Sequence, residues 1–183
     1  MATDIWKKFE ESNAEEENDL QSNEQKYLTF LIEKQYFAFS IYDIETIIEI
    51  QEIFPIPEFP DYAKGIINLR GLIIPVIDVR LRFHKPETEY NERTCIIIVA
   101  INKIQIGFIV DTVDEVVDIE PSNISNLPKI GGGSNPDMAK YIIGVGKAKG
   151  KIIMLLAADK ILNEEELKAY EDMYLSDNAE QLS

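Results

Sequence analysis

Residues 64–83 read KGIINLRGLIIPVIDVRLRF. Two apolar runs, Gly65-Ile66-Ile67-Asn68 and Leu72-Ile73-Ile74-Pro75-Val76-Ile77-Asp78, are separated by Leu69, Arg70 and Gly71. A core strand does not hold an arginine at its centre, and a helix does not favour the glycine. The spacing therefore predicts two strands joined by a tight turn over 69–72. Gly71 supplies the positive φ that such a turn needs at its second central position. Arg70 then stands at an exposed hairpin tip. Spacing leaves two readings of it open. It is a fork offered to a carboxylate or carbonyl on a partner, or an ordinary turn arginine, solvated or paired internally with Asp78 or Glu45.

Outward from that hairpin the chain reads as short β-rich runs. KYLTFLI and QYFAFSI flank Glu33-Lys34, and TCIIIVAI and KIQIGFIV meet near Asn102-Lys103. YIIGVGKAKGKIIMLLA turns at Lys149-Gly150. The segment 44–50, apolar at Ile44, Ile47, Ile48 and Ile50, fits strand or helix. Pro55, Pro57 and Pro60 exclude a central strand from the connection that follows. Loops are expected at PSNISNLP and IGGGSNP. Asn163 with Glu166 three residues on predicts a capped helix from about Glu164, with Leu167, Tyr170 and Tyr174 on one face.

The pattern repeats. Sliding the chain by 69 places lays residues 26–50 on 95–119, so that Phe39 meets Phe108 and Ile50 meets Ile119. At a shift of 79, Arg70-Gly71 meets Lys149-Gly150, which implies a ten-residue insertion in the second half. The domain 26–162 thus divides into two related β-subdomains, about 26–83 and 94–162. Each has about 60 residues and is marginal alone, so the two should share buried surface.

The 183 residues carry a net charge of −15, held mostly at the ends. Residues 1–25 hold eight acids against two lysines, and residues 163–183 seven acids against one lysine. The first 25 residues are expected to be an unstructured acidic extension, apart from a possible short partner-binding helix at Ile5-Trp6-Lys7-Lys8-Phe9. The end is expected to be a helix and an acidic tail. Such a charge distribution argues against nucleic-acid binding. No apolar run approaches a membrane span, and the N-terminus lacks the apolar segment of a secretory signal. A single cysteine, Cys95, permits no internal disulfide and fits a cytoplasmic setting.

No catalytic, metal or cofactor constellation stands out. His84 is the only histidine, which leaves a structural zinc site without ligands. Gly131-Gly132-Gly133 lacks the Lys-Ser/Thr of a phosphate loop. Asp111, Asp114, Glu115 and Asp118 lack calcium-loop spacing and read as the polar edge of a strand. Cys95 opens an apolar strand and reads as core. A small regulatory enzyme built on Cys95 or those acids, and a generic peptide-binding β-module, are the competing classes.

The stretch 64–83 closely resembles the signature of the CheW family of chemotaxis coupling proteins. Phe37 to Ile47, the Pro55-Ile56-Pro57 loop with Pro60, Ile106 to Val113 and the closing Asp159-Lys160-Ile161-Leu162 agree in order. The resemblance spans about 26–170. It implies a mostly β fold of two intertwined, SH3-like, five-stranded β-barrels with a C-terminal helix. It also implies no catalysis and no cofactor, and a cytoplasmic adaptor joining the regulatory domain of the histidine kinase CheA to the cytoplasmic tips of methyl-accepting chemoreceptors. The other output it allows is an adaptor of a different chemosensory system, such as surface motility. Carried over by position, Arg70 is the leading partner contact, with Asn68, Leu69 and Gly65 beside it. Ile44 and Val116 are expected apolar contacts in the two halves. The family often has glutamate where this chain has Thr46, which puts an acid-mediated contact there in doubt. A receptor tip is a helical hairpin, so it should lay an apolar stripe into a groove between the barrels. The kinase domain, of similar fold, should pair end to end, and the protein itself could join rings.

Overall fold

The β-branched runs form strands and the turn residues named above close them. The computed structural model describes residues 2–15, 25–128 and 137–178. The expectations for 16–24, for the glycine-rich loop at 130–136 and for the tail at 179–183 lie outside the described residues. In chain order the elements are α1 (Ala2–Glu15), β1 (Gln25–Ile32), β2 (Gln35–Ser40), β3 (Ile44–Glu49), β4 (Ala63–Leu69), β5 (Leu72–Asp78), α2 (Val79–Arg82), β6 (Cys95–Ile101) and β7 (Ile104–Val110). There follow β8 (Thr112–Ile119), β9 (Ile124–Ser125), α3 (Met138–Tyr141), β10 (Ile142–Ala148), β11 (Lys151–Leu156), α4 (Ala158–Ile161) and α5 (Glu164–Asp177). The ambiguous segment 44–50 is therefore strand. Asn163 and Glu166 form the expected capping box, and Tyr170 and Tyr174 are buried.

The strands make two sheets, ordered β8-β1-β2-β11-β10-β9 and β3-β6-β7-β5-β4. The sequence repeat equates β1, β2 and β3 with β6, β7 and β8, and β4 and β5 with β10 and β11. Applied to the first five strands of one sheet, that equation returns the order of the other. Even the irregularities match: the register shifts at Ala63/Gly65 in one hairpin and at Ile142/Gly144 in the other, 79 residues apart. Neither half builds a sheet from its own strands. Each lends its first hairpin to the strands of the other. The expected five-plus-five count holds for one sheet only. In the other sheet β9 pairs with Val145 and Gly146 as a sixth strand, at the place where the first half has only the single Phe54–Ile66 bridge.

This exchange distributes the core. Alternation sends Ala38 to a cluster drawn from one sheet, with Val117, Ile119, Ile153 and Leu155. Ile67, Ile74, Val76, Ile96, Ile98 and Ile109 make the matching cluster of the other sheet. The opposite faces meet in a larger cluster between the sheets, containing Phe30, Phe37, Phe39, Phe83 and Phe108. The repeat-related pair Phe39 and Phe108 touch there with ring centroids 5.4 Å apart. Burying each such ring is worth about 1.5–3 kcal/mol, which neither 60-residue half could gain alone. The C-terminal helix seals one side: the Glu166 carboxylate takes hydrogen bonds from Asn163 N, 2.9 Å, and from the Tyr62 hydroxyl. Arg82 stacks its guanidinium 4.4 Å from the Tyr62 ring centre.

In the N-terminal extension the helix reaches beyond the short stretch expected at Ile5–Phe9, because residues 2–15 form α1. Ile5, Trp6 and Phe9 fall on one helical face. A helix of this length is marginal alone and takes its stability from burying such a face. Here it packs against β3 and β8.

Candidate partner-binding surfaces

At the β4–β5 tip both central residues are left-handed, Arg70 with φ 53° and Gly71 with φ 90°. Asn68 holds the turn from inside, its Oδ1 accepting from Gly71 N at 3.0 Å, while its carbonyl accepts from Gln51 Nε2 at 3.1 Å. Behind the tip, the Asn178 amide accepts from Ile73 N at 2.9 Å and donates to Ile73 O at 3.1 Å. The side chain imitates a neighbouring strand. Leu69 is half-buried. Arg70 is exposed and has no hydrogen-bond or ion-pair partner among the described residues. Internal pairing with Asp78 is replaced by other contacts, since that buried carboxylate accepts from Leu81 N, 3.2 Å, and Tyr90 OH, 2.7 Å. Burial first, and then that bond to Asp78, push the Tyr90 hydroxyl well above the ordinary tyrosine range.

Gly65 does not join this tip. It is buried in β4 with φ 138°, and a Cβ there would lie 2.0 Å from Phe54 O. The reason is a crossing strand segment: Phe54 and Ile66 exchange backbone hydrogen bonds of 2.8 and 2.9 Å. Gly65 serves that close approach and offers no side chain to a partner.

The remaining three candidates form a second surface. Ile44 and Thr46 lie on β3 and Val116 on β8, and these are equivalent edge strands of the two sheets. Ile44 and Ile47 align by the repeat with Val113 and Val116. Ile44, Ile47 and Val113 are buried in the central cluster, with Val116 packed against it. Thr46 is half-buried. Over this seam lies α1. Its Trp6 is only 7% exposed and belongs to the same cluster, with Phe9 5.4 Å away between ring centres. Trp6 Nε1 is buried without a hydrogen-bond partner among the described residues, an omission that ordinarily costs about 1–3 kcal/mol. The sticky residues 5–9 were visible in the sequence. That they would pack against β3 and β8 was not.

The chemistry set aside in the sequence is accounted for by pairing. Asp111 takes a two-point contact from Arg80, which also lies 3.6 Å from Glu33. Asp114 pairs with Lys151 at 2.8 Å, Glu115 with Lys149 at 2.8 Å, and Asp118 with Lys26 at 3.1 Å. The hydrogen bond from Lys149 holds the Glu115 carboxyl below its ordinary value, assisted by Lys151. Cys95 is buried, and burial pushes its thiol pKa up, away from a reactive thiolate. No group of three or more metal-ligating side chains occurs among the described residues.

A family model described as the CheW-like domain matches residues 26–166. The chain belongs to that family. Among its relatives, chemotaxis protein CheW of Bacillus subtilis is 31% identical over 141 residues, covering 77% of this chain and 88% of that protein. Chemotaxis protein CheW of Thermotoga maritima is 32% identical over 137 residues, covering 75% and 87%. The crystal structure of the scaffolding protein TtCheW from Thermoanaerobacter tengcongensis superposes with a TM-score of 0.71 at 31% identity, over 78% of this chain and 97% of that one. The CheW-like match opens one residue into β1 and ends in the first turn of α5. The helix α1 and the Asn178 clamp stand outside it.

Proposed function

We propose that this chain is a non-catalytic chemotaxis adaptor of the cytoplasm, coupling chemoreceptor tips to the regulatory domain of the kinase CheA. The observation that carries the reading is Arg70. It is a rigidly held, exposed arginine without an internal partner, in the signature segment of a family whose solved member is a scaffolding protein. Pre-ordering the turn lowers the entropy lost when the guanidinium meets a carboxylate or carbonyl on a partner. The seam between β3 and β8, apolar and flanked by two sheet edges, suits the apolar stripe of a receptor helix. No helix is long and apolar enough to cross a membrane among the described residues. Each contact is expected to be weak singly, with tightness from many linked copies.

Calorimetric titration tests it. The purified chain should bind both a CheA regulatory domain and a receptor-tip hairpin, and Arg70→Glu should weaken at least one of the two by tenfold or more. Binding to neither cognate partner by the folded protein would remove the coupling role.

A further inference from the structure

We infer that α1 is an intramolecular competitor for the seam between β3 and β8, so that a partner's helix must displace it to bind. This rests on the reading of the seam as the site for a receptor helix. Four observations converge on it. The occupant is of the kind the seam is proposed to take: a helix with Ile5, Trp6 and Phe9 turned inward and Lys7, Lys8, Glu10 and Glu11 exposed. It packs against the repeat-related strands β3 and β8, and its Trp6 shares one apolar cluster with Ile44, Ile47 and Val113, against which Val116 packs. It lies outside the residues 26–166 that the family model matches. Its fit is imperfect, because the Trp6 indole N–H is buried without a partner among the described residues, and leaving the seam returns that group to water.

The tether sets the strength of the competition. Nine residues separate α1 from β1. A short connection of this kind holds an attached ligand at an effective concentration on the order of millimolar, if the geometry allows docking at all. A 14-residue helix is marginal when undocked, so displacement and loss of helix go together. The receptor helix then meets a site that is free only part of the time. Its apparent affinity falls by that fraction. Anything that holds α1 elsewhere would raise coupling, without a change in the seam itself.

Trp6 is the only tryptophan of the chain and reports on its own position. The full chain is titrated with a tryptophan-free helical hairpin from a receptor tip, following fluorescence emission and heat in parallel. Emission should move to the red as the hairpin binds, over the same concentration range as the heat. The double variant Trp6→Ala/Phe9→Ala, its fold checked by circular dichroism, should bind about tenfold more tightly than the wild type. Val116→Glu should abolish binding. If the hairpin binds, Val116→Glu abolishes it, and Trp6 emission stays blue with no gain in the double variant, the competition is overturned and the seam stands. If binding survives Val116→Glu, the seam is not the site and the competition falls with it. If neither the wild type nor the folded double variant binds, α1 is not what withholds the site, and the inference is overturned.

Discussion

At the β4–β5 tip, Arg70 and Gly71 have φ values of 53° and 90°, and at the β10–β11 tip, Lys149 and Gly150 have 50° and 73°. The two turns are the same device at repeat-related places, and they differ in what is attached to them. Lys149 reaches Glu115 at 2.8 Å, whereas Arg70 reaches no described residue. Ile73 is gripped through its backbone by Asn178, whereas its counterpart Ile152 is 62% exposed. One tip is braced from behind and bare in front. The other is closed by an ion pair and left open behind. The repeat keeps one turn geometry, and the residues at single positions give the two copies different surroundings.

The sharpest way to break the equivalence lies in the bulge glycines. Gly65→Ala would drive a methyl group onto the Phe54 carbonyl, a backbone atom that cannot step aside, at a φ hostile to any L side chain. The expected loss is more than about 3 kcal/mol, read as a fall in the urea midpoint. At the equivalent Gly144, the nearest atom to an added Cβ is the Ile124 Cγ2 at 2.9 Å, the end of a side chain that can turn away. The expected loss there is about 1 kcal/mol. Equal losses at the two positions would show that the Phe54 crossing is soft and that the two hairpins are interchangeable.

The brace comes next in size. Asn178→Ala removes both bonds to Ile73 and leaves a half-buried backbone N–H and C=O unpaired. The expected cost is about 1–3 kcal/mol. Hydrogen exchange should quicken at the Ile73 amide and leave the β10–β11 hairpin unchanged. Uniform quickening would mean that Asn178 supports the whole fold and not the one tip.

Much of this was legible in the sequence, for a physical reason. Turn residues and period-two alternation are local, so Glu33, Asn102, Arg70-Gly71 and Lys149-Gly150 marked every long hairpin, and Asn163 with Glu166 marked α5. The repeat marked two related halves, because both kept their hydrophobic alternation, but not the exchange of hairpins that orders the two sheets. What stayed hidden depends on partners distant in sequence. Nothing local announces that Asn178 will act as a strand for Ile73, 105 residues away. Gly65 stands in the same signature segment as Arg70, five residues before it, which groups the two by sequence. Its reason for being glycine lies in Phe54, on another segment. The extension looked unstructured because its acids dominate its composition, while three apolar residues spaced for one helical face decided its fate.

Electrostatics offers a smaller contrast. Because Glu115 has a folded pKa below its ordinary value, its pairing stabilises the protein above that ordinary value, and the benefit is lost as pH falls through the folded pKa. Glu166 runs the other way: burial raises its pKa, so its ionised form is a cost at neutral pH that acid relieves. Lys149→Gln should therefore lower stability at pH 7 by less than about 0.5 kcal/mol, since Lys149 is 62% exposed and screened. The difference from wild type should shrink as pH falls through the acidic range. A deficit that persists unchanged in acid would mean that Lys149 matters by packing instead of charge.

The smallest effect on stability belongs to Arg70, and it separates the two tips most cleanly. Arg70→Glu alters a residue with no internal partner among those described, in a turn whose φ values are set by the backbone and Gly71. Its stability, followed by thermal melting, should stay within the scatter of exposed-surface substitutions, about 0.5 kcal/mol either way. Lys149→Glu, by contrast, places a second carboxylate beside Glu115 and should cost measurably more. For partner binding the order should invert. Arg70→Glu reverses the charge presented at the bare tip and should weaken coupling by tenfold or more, while Lys149→Glu should leave it nearly unchanged. The pair is informative because each variant controls for the other, with the same turn geometry and the same charge reversal. If both lose binding equally, partners read the net charge of the surface and not the Arg70 fork. If Arg70→Glu lowers the melting temperature sharply, the tip is part of the scaffold, and the arginine is held for folding and not for contact.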